Sequence, residues 1–195
     1  MEYYKGANEK DIPFNGGSYV TKHGRGHEEY NFDPVDLEGN FYCLGFVETK
    51  STSSTKRNDS HIEKIAGCAS MKNEASVDDV LVVWCATTDL NETSVVGWYK
   101  HATVYRQYEI HRFENGYEQA YNVVARKENC VLLPKSDRHE YIWKVPVARQ
   151  KTYGFGQSLV WYATEDKAQQ YLVGVLGNIE RYAGENCIDK SAFNA

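Results

Sequence analysis

Apolar residues in this chain come in short runs between turn-forming residues, which is typical of β-strands. Val77–Thr87 (VDDVLVVWCAT) is nearly continuously apolar and predicts a central strand. Asn40–Glu48 predicts a second strand, and Ala120–Pro134 predicts two strands joined by a tight turn at KEN. The run SVVGWYKHATVYRQYEI predicts one or two strands, and Ser158–Ala163 predicts a further short one.

One segment near the carboxyl end has helical periodicity. Apolar residues recur there at i, i+3, i+4, i+7, i+8, i+11 and i+14, on one helical face: Ala168, Tyr171, Leu172, Val175, Leu176, Ile179 and Tyr182. Thr164 is the predicted N-cap and Gly184 the predicted stop, and a shorter helix is predicted at His61–Gly67. Gly174 and Gly177 each weaken the long helix by about 1 kcal/mol, so we expect it to pack on the sheet. The predicted fold class is α+β: a curved, mainly antiparallel sheet or small barrel with a few helices packed against it.

Composition narrows the functional classes. A chain of 195 residues can form one sizeable domain, and its net charge of -5 with a pI near 5.7 argues against coating duplex nucleic acid by bulk charge. Aromatic residues are abundant at 13%, including 15 Tyr and 4 Trp, which suits a binding surface as well as a core.

The cysteines and the amino-terminal residues bear on the compartment. The five cysteines are widely spaced and form no C-x-x-C pair, which argues against a zinc site and a disulfide framework: Cys43, Cys68, Cys85, Cys130 and Cys187. Three of them, Cys43, Cys85 and Cys130, lie in apolar runs and predict buried thiols, as in a reducing cytosol. The opening MEYYKGANEK has no apolar stretch, and no apolar run approaches 18 residues. We therefore expect a cytoplasmic protein without a signal peptide or membrane span.

Two motifs raise the possibility of metal chemistry. In GFVETK, Glu48 and Lys50 have the spacing of the PD-(D/E)XK nuclease core, in which a carboxylate binds a divalent cation, and Asp33 or Asp36 could supply a second carboxylate. The pattern is short, however, and a polar loop follows where that core has a helix, so a charged strand end is the favoured interpretation. In HGRGHEE, His23 and His27 are four apart, but the intervening glycines disfavour a shared metal and favour a mobile basic loop. No P-loop or G-x-S-x-G motif occurs, and we expect no metal and no cofactor.

Two other stretches favour a flat, anionic ligand. In YGFGQSLVWY, Gly154 and Gly156 precede the predicted strand, so the backbone could approach a flat ligand while Gln157 and Ser158 supply polar contacts. In WYKHATVYRQYEIHR, aromatic and basic residues alternate, so that neither face of an ideal strand is a clean core face. Such a mixture suits base stacking beside phosphates, and the alternative is that these are core aromatics with a solvated rim.

The segments DVLVVWCAT, SVVGWYKHATVYR, CVLLP and GFGQSLVWYA, with the terminal helix, resemble the PUA-like group that includes EVE and YTH domains. In particular they resemble the N-terminal reader domains of modification-dependent (type IV) restriction endonucleases, and FNGGSYV, GHEEYNFDP and YCLGFVE are similar to the opening of such readers. The resemblance runs from about Phe14 to Tyr182. It implies one PUA-like reader domain over residues 1–183, with 184–195 a tail or the start of a linker to a missing domain.

The resemblance also implies a pocket that takes a flipped-out modified base, in DNA by preference or in RNA. Residues on its GWY and VWY elements and on adjoining positions would line the pocket: Trp98, Tyr99, Trp161, Tyr162, Gln157, Ser158 and Trp84, the last being a possible core residue. The predicted phosphate-binding residues are Lys100, Arg106, Arg149, Lys151, Lys22 and Arg25. Since no HNH metal motif is present, the chain would be a non-catalytic reader of a restriction system acting in phage defence, with nuclease activity on another domain or subunit. A nuclease using Glu48 and Lys50, and a PUA-like module for a small ligand or a protein, remain as alternatives.

Overall fold

The protein is described by a computed structural model over residues 26–49, 51–53, 56–57, 59–87, 92–114, 116–149 and 151–188. Its strands are β1 (Pro34–Leu37), β2 (Asn40–Gly45), β3 (Ser51–Ser53), β4 (Lys56–Arg57), β5 (Ser76–Thr87), β6 (Thr93–Arg112), β7 (Glu118–Arg126) and β8 (Cys130–Leu132). One α-helix, α1 (Gln169–Arg181), lies in this described part, and it continues a 3₁₀ turn at Asp166–Ala168. Further 3₁₀ turns lie at His27–Tyr30, Ile62–Lys64, Lys127–Asn129, Asp137–His139 and Tyr141–Trp143.

The sheet is antiparallel throughout and organised around β6. Its strand order is β1-β2-β7-β6-β5, with β8 also paired to β6, while β3 and β4 form a separate hairpin. The twenty-residue β6 pairs with β5 over residues 93–105, with β8 over 97–99 and with β7 over 103–112. Irregularities interrupt both long ladders, and such bulges increase local twist, so the sheet curls into a half-barrel. The predicted curved antiparallel sheet with a packed helix is therefore confirmed at this level.

The strand predicted to be central is at an edge of the described sheet. β5 covers the apolar run Val77–Thr87, but its paired neighbour in the described residues is β6 alone. Its apolar character comes instead from burial on both faces. Val82, Trp84 and Ala86 pack into a first core, whereas Leu81, Val83 and Cys85 pack into a second core on the opposite face.

The predicted helix packs on the sheet as expected. Val175 and Ile179 of α1 are buried in the second core, and Ala168 just before it is fully buried. Its start differs from the prediction: helical structure begins at Asp166, and Thr164 does not cap it. The short helix predicted at His61–Gly67 is a single 3₁₀ turn, Ile62–Lys64. None of the helices in the described residues is long and apolar enough to cross a membrane.

The prediction of a strand at Ser158–Ala163 is wrong. This segment has no regular secondary structure and runs along the second core as an extended loop. Its apolar residues are explained by that packing: Trp161 contacts the core, whereas Leu159 is 55% exposed. A run of apolar and aromatic residues predicts burial well, but a strand also requires a neighbour to pair with.

Candidate functional site

Three of the predicted pocket aromatics belong to the protein core. Trp98 is 1% exposed and packs in one cluster with Trp143, whose ring is stacked on it at 5.6 Å, and Tyr182, whose ring is edge-to-face with it at 5.3 Å. Tyr99 and Trp84 are buried in the first core, with ring centroids 5.3 Å apart. A ring enclosed by protein on both faces offers no face to a base, so these three residues correspond to the core interpretation of the sequence. The physical reason is that cores cover both faces of β6, so that successive residues Trp98 and Tyr99 are both buried.

Arg106, predicted to bind phosphate, is a structural clamp. Its guanidinium donates to the carbonyl oxygens of Glu74, Met71 and Lys72, each at 2.9 Å, and to the Glu63 carboxylate, also at 2.9 Å. A further, longer bond of 3.5 Å reaches the Ser60 carbonyl oxygen. All three guanidinium nitrogens are thus engaged within the chain. The clamp holds the excursion of residues 60–75 against β6, and it leaves no donor group free for a phosphate.

The other predicted cations divide into three groups. Lys100 forms an ion pair with Glu180 of α1 at 3.2 Å, which neutralises it locally. Arg149 and Lys151 are exposed and close in sequence, in the loop that follows Val145 of the second core. Lys22 and Arg25 fall outside the described residues.

That loop is built as a narrow turn around Gly154. The Ala148 N–H donates to the Phe155 carbonyl oxygen at 2.8 Å, and the Phe155 N–H donates back to the Pro146 carbonyl oxygen at 3.0 Å. Gly154 has φ of +115°, and a Cβ at this position would lie 2.1 Å from the Pro146 oxygen, so glycine alone fits. The turn places Lys151 beside Tyr153, and Arg149 is exposed two residues before Lys151. Gln157 and Ser158 follow on the exposed side of the same loop.

Beside this turn lies an aromatic group that we call the Trp161 cluster: Tyr153, Phe155, Trp161 and Tyr171. Ring centroids lie 6.4 Å from Trp161 to Tyr153, 5.8 Å to Phe155 and 5.9 Å to Tyr171. The Tyr153 and Trp161 rings are within 29° of parallel. Each of the four side chains is partly buried, and burial raises the pKa of the Tyr171 hydroxyl. The cluster therefore has an inner side on the second core and an outer side at Tyr153.

Two polar contacts fix the chemistry of the cluster. The Trp161 indole N–H donates to both carboxylate oxygens of Glu165, at 2.9 and 3.1 Å, which holds the ring in one orientation. Lys151 places its ammonium 5.9 Å from the centre of the Tyr153 ring, within the range of a cation–π contact. The outer aromatic face thus already attracts a cation, and a second cation, Arg149, lies two residues away along the exposed turn.

Of the predicted pocket residues, Trp161, Gln157 and Ser158 lie on this loop together with the predicted phosphate-binding residues Arg149 and Lys151. Tyr162 is turned elsewhere: its hydroxyl accepts from the His61 N–H at 3.0 Å and so ties the loop to the 60–75 excursion. Sequence reasoning missed Tyr153, Phe155 and Tyr171. The first two flank Gly154 in the YGFG motif that the sequence singled out only for its glycines, and Tyr171 is on the predicted apolar face of the helix.

The nuclease alternative gains little from the structure. Glu48 is exposed on a segment held by side chains, since the Asn122 amide bonds both the N–H and the carbonyl of Val47. The pKa of Glu28 is raised by burial and, to a lesser degree, by Glu48 nearby. Lys50 and His23 lie outside the described residues, and within those residues no three His, Cys, Asp or Glu side chains are grouped to hold a metal ion.

The site therefore consists of an aromatic cluster on one core and a glycine-dependent basic turn beside it. No family model, no curated protein and no solved structure matches this chain.

Proposed function

We propose that this chain is a non-catalytic reader of a modified nucleobase, in DNA by preference, and that it holds the base against the outer side of the Trp161 cluster. The observation that carries the proposal is the pair of nearly parallel rings, Tyr153 and Trp161, with Lys151 over Tyr153. The resemblance of the sequence to PUA-like readers supports the same ligand class.

The ring spacing suits a planar ligand. Stacked bases lie about 3.4 Å apart, so a base between two rings needs them roughly 7 Å apart. The centroids of Tyr153 and Trp161 are 6.4 Å apart with a tilt of 29°. A small outward rotation of Tyr153, the outer ring, would admit a base between them or offer it one open face. Trp161 would stay in place because Glu165 holds its N–H.

The charges beside the rings suit the sugar–phosphate chain of the same nucleotide. Arg149 and Lys151 are exposed in a chain whose net charge is -5, so the attraction for phosphate is local. Each neutralised phosphate contributes a slope of about -0.9 in log K against log salt on duplex DNA. The sequence predicts about three to five phosphate contacts, and the two exposed cations of this site, Arg149 and Lys151, account for about two of them. A salt slope near zero would instead indicate a small neutral ligand or a protein partner.

The decisive experiment is equilibrium binding to matched oligonucleotides, modified and plain, with three variants. Tyr153→Ala should weaken binding of the modified oligonucleotide by about 1–3 kcal/mol, the contribution of one stacked base. Lys151→Gln should weaken both oligonucleotides alike and reduce the salt slope by about one unit. Tyr141→Ala is the matched control, because Tyr141 is an aromatic residue that is 87% exposed on a different turn. Unchanged affinity and discrimination in folded Tyr153→Ala protein would refute the assignment of this site.

The same incubations, repeated with Mg²⁺ or Mn²⁺, separate a reader from a nuclease. A reader binds without cutting, and Glu48→Ala leaves its binding intact. Metal-dependent cleavage that disappears in Glu48→Ala protein would replace the proposal with the nuclease alternative.

A further inference from the structure

The long irregularity between β6 and β7 brings two tyrosines together at the protein surface. The β6 residues 105–108 lie between the paired positions Val104 and Glu109, whereas a single residue of β7 separates their partners. A bulge of this kind re-aims the side chains beside it. Tyr105 and Tyr121 meet there edge to face, with ring centroids 6.0 Å apart and ring planes at 84°. Both residues are partly exposed, so each keeps some ring surface in contact with solvent.

Two carboxylates adjoin the tyrosine pair. Glu109 is exposed and lies directly opposite Tyr121 in the β6–β7 ladder. Asp78 of β5 is also exposed, and the Thr103 hydroxyl donates to its Oδ1 at 2.6 Å, which orients the carboxylate. Burial raises the pKa of the Tyr105 hydroxyl, and the nearby charges of Glu109 and Asp78 raise it further. The patch therefore combines aromatic surface with negative charge.

The charge of this patch is not neutralised within the described part of the chain. No basic side chain there forms an ion pair with Asp78 or Glu109. The contrast with the next carboxylate is direct, because Asp79 contacts the His101 ring at 2.6 Å. A cation is therefore the group that would complement this surface.

The patch is held in place by the Arg106 clamp. Arg106 follows Tyr105 in the bulge, and its backbone N–H donates to the Ala75 carbonyl oxygen at 2.8 Å. Its own carbonyl oxygen accepts from the Ser60 N–H, also at 2.8 Å, and its guanidinium binds the same 60–75 excursion. The bulge that carries Tyr105 is thus fixed by main-chain and side-chain bonds. A surface ordered in advance loses less conformational entropy when a partner binds.

We propose that Tyr105, Tyr121, Asp78 and Glu109 dock a basic segment of a protein partner, with a lysine or arginine side chain seated against the tyrosine rings. A cation is attracted both to the face of an aromatic ring and to a carboxylate beside it, and here both attractions act on one side chain. The patch is open and drawn from three strands, which suits a peptide that extends along it better than a small amine. It shares no residue with the Trp161 cluster, and its negative charge repels nucleic acid.

Fluorescence anisotropy with labelled peptides tests the proposal. The probes are a short glycine–serine peptide carrying several lysines, its arginine counterpart, and an uncharged glutamine counterpart that should not bind. Tyr105→Ala and Glu109→Gln should each weaken binding of the basic peptides about two- to fivefold, and the double variant about tenfold. Tyr105→Phe keeps the ring and should bind almost as the unaltered protein does. Glu140→Gln is the matched charge control, because Glu140 is exposed on a different turn.

Three results would overturn the proposal. The first is the absence of saturable binding of either basic peptide up to about 1 mM. The second is equal affinity of Glu109→Gln and unaltered protein, or an equal loss in Glu140→Gln, which would show attraction by bulk charge alone. The third is self-association in analytical ultracentrifugation that Glu109→Gln abolishes, which would assign the patch to a second copy of this chain.

A mapping experiment keeps the test independent of how the variants fold. Thermal melts show whether Tyr105→Ala is folded, and amide chemical shifts of the unaltered protein, titrated with the lysine peptide, need no variant at all. Shifts centred on residues 76–78, 103–109 and 121 support the site. Shifts confined to other parts of the chain refute it.

Discussion

Replacing Arg106 gives the sharpest test of how this fold is held together. Arg106 is the side chain on β6 that fastens the 60–75 excursion, through four hydrogen bonds of 2.9 Å and one of 3.5 Å. Hydrogen bonds to a charged group contribute about 1.5–3 kcal/mol each when both partners are removed from water. The Arg106 and Glu63 side chains remain 17% and 21% exposed, so water replaces part of what is lost.

We therefore expect Arg106→Ala to lower the free energy of unfolding by about 2–4 kcal/mol. Arg106→Lys should recover only part of this stability. A single ammonium group cannot contact all the carbonyl oxygens that the three nitrogens of the guanidinium reach. The measurement is urea denaturation of both variants, with hydrogen exchange of the 60–75 amides as a local readout. The matched control is Arg112→Ala on the same strand, whose side chain is 78% exposed. A loss below about 1 kcal/mol in Arg106→Ala, together with weakened DNA binding, would refute the clamp and restore the phosphate-binding interpretation.

Three further predictions follow from individual contacts. Backbone hydrogen bonding and then Arg106 lower the pKa of Glu63 from 4.5 to about 2, so its contribution to stability is complete above pH 4.5 and is lost as pH falls towards 2. The urea midpoint of Glu63→Gln protein should therefore lose this pH dependence. Identical pH profiles for the variant and the unaltered protein would contradict the prediction. Trp98→Ala should cost about 3–5 kcal/mol of stability, measured by denaturation, because the buried ring packs against both Trp143 and Tyr182. A folded variant of normal stability that no longer distinguishes modified bases would return Trp98 to the pocket. Gly154→Ala should expose the loop of residues 147–155 to limited proteolysis, because the added Cβ collides with the Pro146 oxygen, while the overall melting curve changes little. An unchanged digestion pattern would show that the turn tolerates a side chain.

The long strands and the helix could be predicted because each depends on local periodicity, but the short strand β1, the loop at Ser158–Ala163 and the faces of β6 could not. Ideal alternation places Tyr99 with His101 and Thr103, whereas the structure places it in the first core with Ala102 and Val104. The shift arises at His101, which has a positive φ of 51° opposite an irregular stretch of β5. One added residue in the bulge exchanges the inward and outward positions beyond it. Neither the composition nor the spacing of residues in the sequence predicts such a bulge.

The site was predictable only in part, for a similar reason. Trp161, Gln157, Ser158, Arg149 and Lys151 could be found because they are close together in sequence. Tyr171 joins Trp161 only because α1 packs over the loop, and Arg106 finds partners that are 32 to 46 residues away in the chain. Long-range packing of this kind decides whether a basic residue faces solvent or fastens a loop, and local sequence carries no signal for it.

The adjacency of Trp98 and Tyr99 has a consequence for how the domain opens. The two residues are consecutive on one strand, and each anchors a different core. A backbone fluctuation at this point of β6 displaces both rings, so we expect the two cores to open together. Slow amide exchange in β5, β6 and β8 should therefore proceed through a single opening event. The protein gains resistance to partial unfolding, and with it to proteases that depend on locally opened segments.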